Sequence, residues 1–99
     1  MSNNITVALS PFIEQYNIEA IEDKSDSLYA RCRVRFTNGY QLSIIRGLGS
    51  YGYQQGLFEI AVFSPNDKYC SDLLEGNDVL GYQTAKQVVS YVEKIGEII

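Results

Sequence analysis

The sequence contains no histidine among its 99 residues. Histidine is the usual general base at neutral pH, the commonest protein ligand of metal ions, and the partner that activates serine and cysteine nucleophiles. Its absence removes the most familiar routes to hydrolysis and metal binding. We therefore expect a protein that is not an enzyme and that holds neither a metal ion nor a cofactor.

Cysteine is also scarce, since the chain has only Cys32 and Cys70. They lie far apart in the sequence and belong to no CxxC or Cys/His cluster of the kind that binds zinc. Cys32 falls on the apolar phase of a predicted strand. A buried, reduced thiol is therefore favoured for Cys32 over a disulfide or a metal ligand.

Long apolar runs are lacking as well. No stretch approaches the roughly 20 apolar residues that span a bilayer, and residues 1–12 lack the basic region of a signal peptide. We expect no membrane partner and a cytoplasmic location. The composition, 45% hydrophobic and 20% charged, is typical of a globular protein. The length predicts a single domain over residues 1–99, in which residues 1–15 could form a loosely attached segment.

The charge is acidic overall but unevenly distributed. The net charge is -4 and the isoelectric point is near 4.6, yet residues 28–63 carry four arginines and one glutamate, a local net charge of +3. Phosphate repulsion makes an acidic chain a poor general binder of nucleic acid, so we expect no direct nucleic-acid contact. A local basic face could still hold an acidic ligand.

The clearest structural signal is LYARCRVRF, residues 28–36, in which apolar and polar residues alternate strictly. A period of two predicts a half-buried strand whose polar face carries arginines about 7 Å apart. Such a face could bind phosphates or an acidic surface. The acidic surroundings favour the alternative, in which the arginines pair across strands with Glu19 or Glu59 and stack on tyrosines. These secondary binding candidates are Arg31, Arg33 and Arg35.

Three further strands complete the predicted sheet. Asn38-Gly39 is a strong hairpin signal because both residues tolerate positive φ, and it leads into a strand over 40–45. The residues of 57–63 are apolar on both phases, which predicts a central or helix-covered strand. Residues 16–22 alternate and are favoured as a strand over a helix. Residues 68–74 are predicted to be a further short strand or irregular.

The C-terminal segment predicts a helix that Thr84 can cap. Its apolar residues recur on one face, and Gly96 indicates that the helix frays or ends nearby. A shorter helical turn is predicted after Ser10-Pro11. The sum is an α+β fold, an antiparallel meander of about four strands with a C-terminal helix packed on one face. The apolar face comprises Val88, Val89, Val92, Ile95 and Ile99.

The stretch RGLGSYGYQQG, residues 46–56, contains Gly47-x-Gly49-x-x-Gly52, the spacing of phosphate-binding loops. A dinucleotide fingerprint requires the glycines to open a helix, whereas a strand is predicted to follow here. A hairpin loop is favoured instead. Tyrosine and arginine often anchor interfaces, and glycine lets a loop adapt to a partner. The predicted binding residues are Arg46, Tyr51, Gly52, Tyr53, Gln54 and Gln55.

The tripeptide Gly-Tyr-Gln occurs three times, at 39–41, 52–54 and 81–83. No repeat of domain size accompanies it. In a chain with eight tyrosines and eight glycines, chance is the simpler interpretation.

Several blocks between Phe36 and Gly81 resemble a group of short proteins encoded by bacteriophages. The group has no established activity, so the resemblance implies an origin and transfers no residue roles. The more specific blocks are Asn-Gly-Tyr and Gly-Leu-Phe-Glu. The matching segments are Phe36-x-Asn38-Gly39-Tyr40, Ser43-Ile44, Tyr51-Gly52, Gly56-Leu57-Phe58-Glu59-Ile60-Ala61-Val62 and Asp78-Val79-x-Gly81.

The expected function is therefore that of a small, acidic, non-enzymatic phage protein. It would bind a host protein in the cytoplasm of the infected cell, as anti-defence and host-takeover factors do. An acidic protein suits competition for a basic host surface. One alternative is a protein that sequesters a small ligand such as a nucleotide through loop 46–56, most simply as a homo-oligomer. A virion or assembly component is a further alternative.

Overall fold

A five-stranded antiparallel sheet, with its strands in chain order, forms one layer of the protein. The computed structural model describes residues 9, 11, 15–27, 29–47 and 49–98. The α+β fold and the C-terminal helix are confirmed, but the sheet has five strands where about four were predicted. The elements are β1 (Ile18–Asp23), β2 (Tyr29–Phe36), β3 (Gln41–Gly47), β4 (Phe58–Phe63), β5 (Leu80–Gln83) and α1 (Ala85–Gly96).

The fifth strand escaped prediction because its sequence carries little strand signal. β5 has only four residues, LGYQ, which is too short to display an alternating pattern. It also contains a glycine, and Tyr82 has a positive φ of 58°, which regular strands do not adopt. Pairing with β4 decides its structure, and local preference does not.

The register of β2 on β3 places the apolar residues of both strands on one face of the sheet. Cys32 lies opposite Ile44, and Val34 lies opposite Leu42; all four are buried. Cys32 is a reduced thiol in this core, as predicted. α1 packs over the same face, where burial of each large aliphatic side chain contributes roughly 1.5–3 kcal/mol. The larger buried side chains are Leu9, Phe36, Leu42, Ile44, Ile60, Leu74 and Ile95.

The β2–β3 hairpin forms as predicted but uses Asn38 differently. Gly39 alone of the Asn-Gly pair has a positive φ, 92°, and its N–H donates to the Phe36 carbonyl at 3.0 Å. The Asn38 side chain instead donates to the carbonyls of Ile95 and Ile98, at 2.9 and 3.0 Å. Asn38 thereby donates to carbonyls at and just after the end of α1, a region where the helix itself offers few donors.

α1 begins and ends where the sequence predicts. Thr84 and Gln87 form a capping box, with Thr84 Oγ1 accepting from the Gln87 N–H at 3.2 Å and Gln87 Oε1 accepting from the Thr84 N–H at 2.8 Å. Gly96 is buried where a Cβ atom would lie 2.0 Å from the Tyr16 carbonyl oxygen. Within the described part of the chain, no helix combines the length and apolar character needed to cross a membrane.

The remaining predictions for local structure are largely met. The strand predicted over 16–22 is β1, and β4 lies between β3 and β5 as its apolar sequence indicates. Residues 68–74 contain a single bridge from Tyr69 to Phe63 and a 3₁₀ turn. The helical turn predicted after residue 10 lies mostly outside the described residues. Of residues 1–15, Leu9 is fully buried in the core.

Candidate binding surfaces

The loop between β3 and β4 is ordered by short-range hydrogen bonds. Ser50 bridges both backbone groups of Gly47, accepting from its N–H at 2.9 Å and donating to its carbonyl at 2.7 Å. A 3₁₀ turn over Tyr53–Gln55 follows, flanked by Gly52 and Gly56, which both have positive φ. As predicted, a strand precedes this loop and another strand follows it. The N–H of Gly47, the first glycine of the phosphate-binding spacing, is occupied by Ser50.

A β-bulge in β5 brings that strand to the loop. Phe58 lies opposite Gln83 and Ile60 lies opposite Leu80, so β5 carries one more residue than β4 over this interval. Bulges bend a strand and redirect side chains. The Tyr82 N–H donates to the Tyr51 carbonyl at 3.4 Å, which joins β5 to the loop.

Two glycines permit this close approach. A Cβ atom on Gly81 would lie 2.3 Å from the Tyr51 Cβ. Gly52 is buried, and a Cβ there would lie 3.0 Å from the Tyr82 Cα and from the Leu57 Cβ. Side chains at these positions would separate the loop from β5. The two Gly-Tyr-Gln copies at 52–54 and 81–83 thus lie side by side.

Three tyrosines project from this junction, and we call them the tyrosine surface: Tyr51, Tyr53 and Tyr82. Their exposed fractions are 62%, 44% and 57%. Together with Gln54 and Gln55 they border a shallow concavity of about 260 Å³. The Tyr51 N–H donates to the Glu59 carboxylate at 3.2 Å, which anchors the loop to β4.

Five of the six residues predicted for binding border this concavity, and Arg46 does not. Arg46 lies on the face of β3 that carries Leu42 and Ile44. Its guanidinium stacks on the Phe58 ring, 4.8 Å from the centroid. Tyr82 was missed by the sequence reasoning, although the repeated Gly-Tyr-Gln tripeptide was a signal that could have identified it.

The second surface is the sheet face opposite α1, where a groove of about 540 Å³ crosses β2 and β3. Small and medium side chains such as Ser43 lie between the longer arginines. The predicted arginine face is therefore real: all three arginines of β2 border one groove. The charged residues along it are Lys24, Arg31, Arg33, Arg35 and Asp67.

The three arginines have different local partners. Arg35 forms an ion pair with Glu22, which also pairs with Lys24 at 3.3 Å. Arg33 donates to Gln41 Oε1 at 3.0 Å and stacks on Phe63, 4.9 Å from the ring centroid. Arg31 stacks on Tyr29 at 4.6 Å.

The pairing predicted with Glu19 or Glu59 is wrong, because among the described residues the carboxylate that pairs with an arginine belongs to Glu22. The predicted stacking on a tyrosine is found between Arg31 and Tyr29. The bulge between Ile18 and Ala20 shifts the register of β1, which a sequence pattern does not reveal. Hydrogen bonds from Arg35, and to a smaller extent from Lys24, lower the pKa of Glu22 below its ordinary value of 4.5. The same Glu22 contact raises the pKa of Arg35.

The described residues contain no group of three or more cysteine, aspartate or glutamate side chains placed to hold a metal ion. Comparison with known proteins finds no matching family model, no similar curated protein and no similar solved structure. The two surfaces are therefore interpreted from their own chemistry.

Proposed function

We propose that this protein is a non-enzymatic binding protein whose tyrosine surface engages a partner protein. The observation that carries the proposal is the presentation of Tyr51, Tyr53 and Tyr82 together, each more than two-fifths exposed. They lie on the β3–β4 loop and on β5, which a backbone hydrogen bond from Tyr82 to Tyr51 joins. Tyrosine contributes large contact area with little loss of conformational entropy and is enriched at binding hot spots.

The backbone of Tyr82 supports the same interpretation. A φ of 58° is rare for a bulky aromatic residue, and such conformations cost of order 1 kcal/mol or more. Strained residues are concentrated at functional sites, so contact with a partner is the proposed reason for a tyrosine here.

We further propose that the partner is a host protein with a basic surface. Two observations support this choice: the resemblance to short phage-encoded proteins, and the net charge of -4. Complementary charge accelerates association with a basic protein. The site of action would then be the cytoplasm of the infected cell.

The test is affinity capture followed by measurement with the purified partner. A partner recovered by the wild-type chain and identified by mass spectrometry would be titrated against Tyr53→Ala and Tyr82→Ala. We expect each substitution to weaken binding by roughly 30-fold, since hot-spot truncations cost about 2 kcal/mol or more.

Tyr69→Ala provides the matched control because Tyr69 is similarly exposed, at 54%, but lies outside the tyrosine surface. It should bind as the wild type does. Equal affinity of Tyr53→Ala, Tyr82→Ala and the wild type for the purified partner would refute the assignment of the tyrosine surface.

A further inference from the structure

The groove on the open sheet face is bordered mainly by positive charge. Four cationic side chains and one carboxylate border it, although the protein as a whole carries a net charge of -4. In the described part of the chain, both ion pairs belong to Glu22, whose single negative charge is shared by Lys24 and Arg35. The positive charge of Arg31 and Arg33 therefore has no carboxylate at ion-pair distance.

Arg31 carries a second indication. Its Nε atom is buried and has no hydrogen-bond partner. A buried N–H donor without an acceptor is unfavourable, and each such group in a folded protein calls for an explanation. An anion that draws the Arg31 side chain into the groove would give this N–H an acceptor, which it lacks while the Nε atom is buried.

Arg33 is held in place before any ligand arrives. Its guanidinium is fixed on one side by the Gln41 side chain and on its face by the Phe63 ring. A guanidinium held in this way loses less entropy when it forms paired hydrogen bonds to an anion. Since Arg31 and Arg33 are two residues apart on one strand, they extend from the same face about 7 Å apart.

We infer that this groove binds a small, phosphate-bearing molecule of about nucleotide size. Phosphate oxygens match the paired N–H groups of guanidinium. The volume of about 540 Å³ lies within the range of roughly 300–1,000 Å³ that small-molecule sites occupy. The acidic chain around the groove disfavours a long polyanion such as nucleic acid, whose other phosphates would be repelled.

This site is separate from the tyrosine surface and does not depend on it. Small-ligand binding was an alternative function predicted for loop 46–56, and this inference assigns it to a different part of the molecule. The phosphate contacts are assigned to side chains of β2, and the backbone of the loop takes no part in them.

The experiment is titration of the isotopically labelled full chain, observed by two-dimensional NMR. The probes are inorganic phosphate, diphosphate and adenosine diphosphate, with citrate to compare carboxylate with phosphate. We expect millimolar diphosphate or nucleotide to shift amides within 31–35 and 41–45, while those of loop 49–56 stay in place. Citrate should produce smaller shifts, and added salt should weaken binding.

Arg31→Gln and Arg33→Gln should each reduce the affinity roughly tenfold, because each removes a charged hydrogen-bonding group from the anion. Lys86→Gln is the matched control: it removes one positive charge from an exposed position on α1 and should leave binding unchanged. Amide dispersion in each variant's spectrum verifies folding. The wild-type titration tests the inference independently of whether any variant folds.

Three results would overturn the inference. They are an absence of shifts in the groove with every phosphate probe, an equal response to citrate, and a stronger response to a glutamate-rich peptide or a single-stranded oligonucleotide. The last would assign the groove to a macromolecular partner instead.

Discussion

Gly81 lies so close beneath Tyr51 that a Cβ atom on the glycine would be 2.3 Å from the tyrosine Cβ. This contact sets the position of the loop on β5, since the strand can reach the loop only where it has no side chain. The tyrosine surface therefore depends on a residue that contributes nothing to it chemically.

Gly81→Ala should displace the loop and destabilise the protein. We expect a loss of about 1–3 kcal/mol in the free energy of unfolding, the usual cost of overpacking, measured by urea denaturation. Amide shifts should change over 50–53. Gly76→Ala provides a comparison, because nothing lies within 4 Å of that site; its cost should arise from its positive φ, without any change in the loop. An unmoved loop in Gly81→Ala would contradict this description.

Tyr82→Gly should separate stability from binding. Glycine relieves the strain of the positive φ but adds freedom to the unfolded chain, so we expect stability within about 1 kcal/mol of the wild type. Affinity for the protein partner should fall as it does for Tyr82→Ala. Both stabilities would be measured by thermal unfolding. Tyr69→Gly, at a residue whose φ is not positive and whose ring contacts Phe63, should be clearly destabilising in that measurement.

Asn38→Asp should weaken the end of α1. The substitution places carboxylate oxygens opposite the carbonyls of Ile95 and Ile98, where the amide now donates. Two effects oppose this arrangement. The carboxylate and carbonyl oxygens repel one another as acceptors, and the negative end of the helix dipole repels the new negative charge. We expect a loss of about 1–3 kcal/mol at neutral pH, the scale of a carbonyl left without its donor, and a smaller loss when acid protonates the new carboxyl group.

The matched control for that substitution is Asn66→Asp, at an exposed turn position. It introduces the same charge but should change stability by no more than about 0.5 kcal/mol. Chemical denaturation of both variants at neutral and acidic pH is the measurement. Equal losses would show that added charge, and not the lost donor, is responsible.

Glu22 should make the stability of the protein pH dependent under acidic conditions. Its pKa in the folded protein is lowered by Arg35 and Lys24 below the ordinary 4.5. The stabilisation is therefore present above pH 4.5 and is lost as the pH falls through the lower, folded-state value. Glu22→Gln should flatten that part of the stability profile, whereas Glu97→Gln should not. Identical acid profiles for Glu22→Gln and the wild type would exclude this role.

Most of the fold was predictable because its strands carry strong local signals. The alternation over 28–36 and the capping residue Thr84 each act within a few residues. β5 was not predictable, because its four residues have no pattern and its bulge depends on pairing with β4. Pairing of Arg35 with Glu22 likewise depends on the irregular register of β1.

The sequence predicted those residues of the candidate sites that are neighbours in the chain, and it missed those that the sheet brings together. Tyr51, Tyr53 and the two glutamines are neighbours in one loop, so residue types sufficed to select them. Tyr82 lies almost thirty positions later in the chain and joins them only through the sheet. Arg46 adjoins the loop in sequence, yet its strand phase directs the guanidinium onto the Phe58 ring, and it does not border the concavity of the tyrosine surface.

The amino-acid sequence by itself determined the strand phases, the helix boundaries and the arginine-bearing polar face, because each follows from the spacing of side chains along a regular backbone. The tertiary structure alone decided which residues meet. The order of the strands brings Tyr82 to the loop, and a bulge and two glycines allow contact there. The register sets Glu22 opposite Arg33, and its carboxylate reaches diagonally to Arg35, so among the described residues neither Arg31 nor Arg33 has a carboxylate at ion-pair distance. Contacts between distant segments depend on pairing and close approach, and no local pattern encodes these.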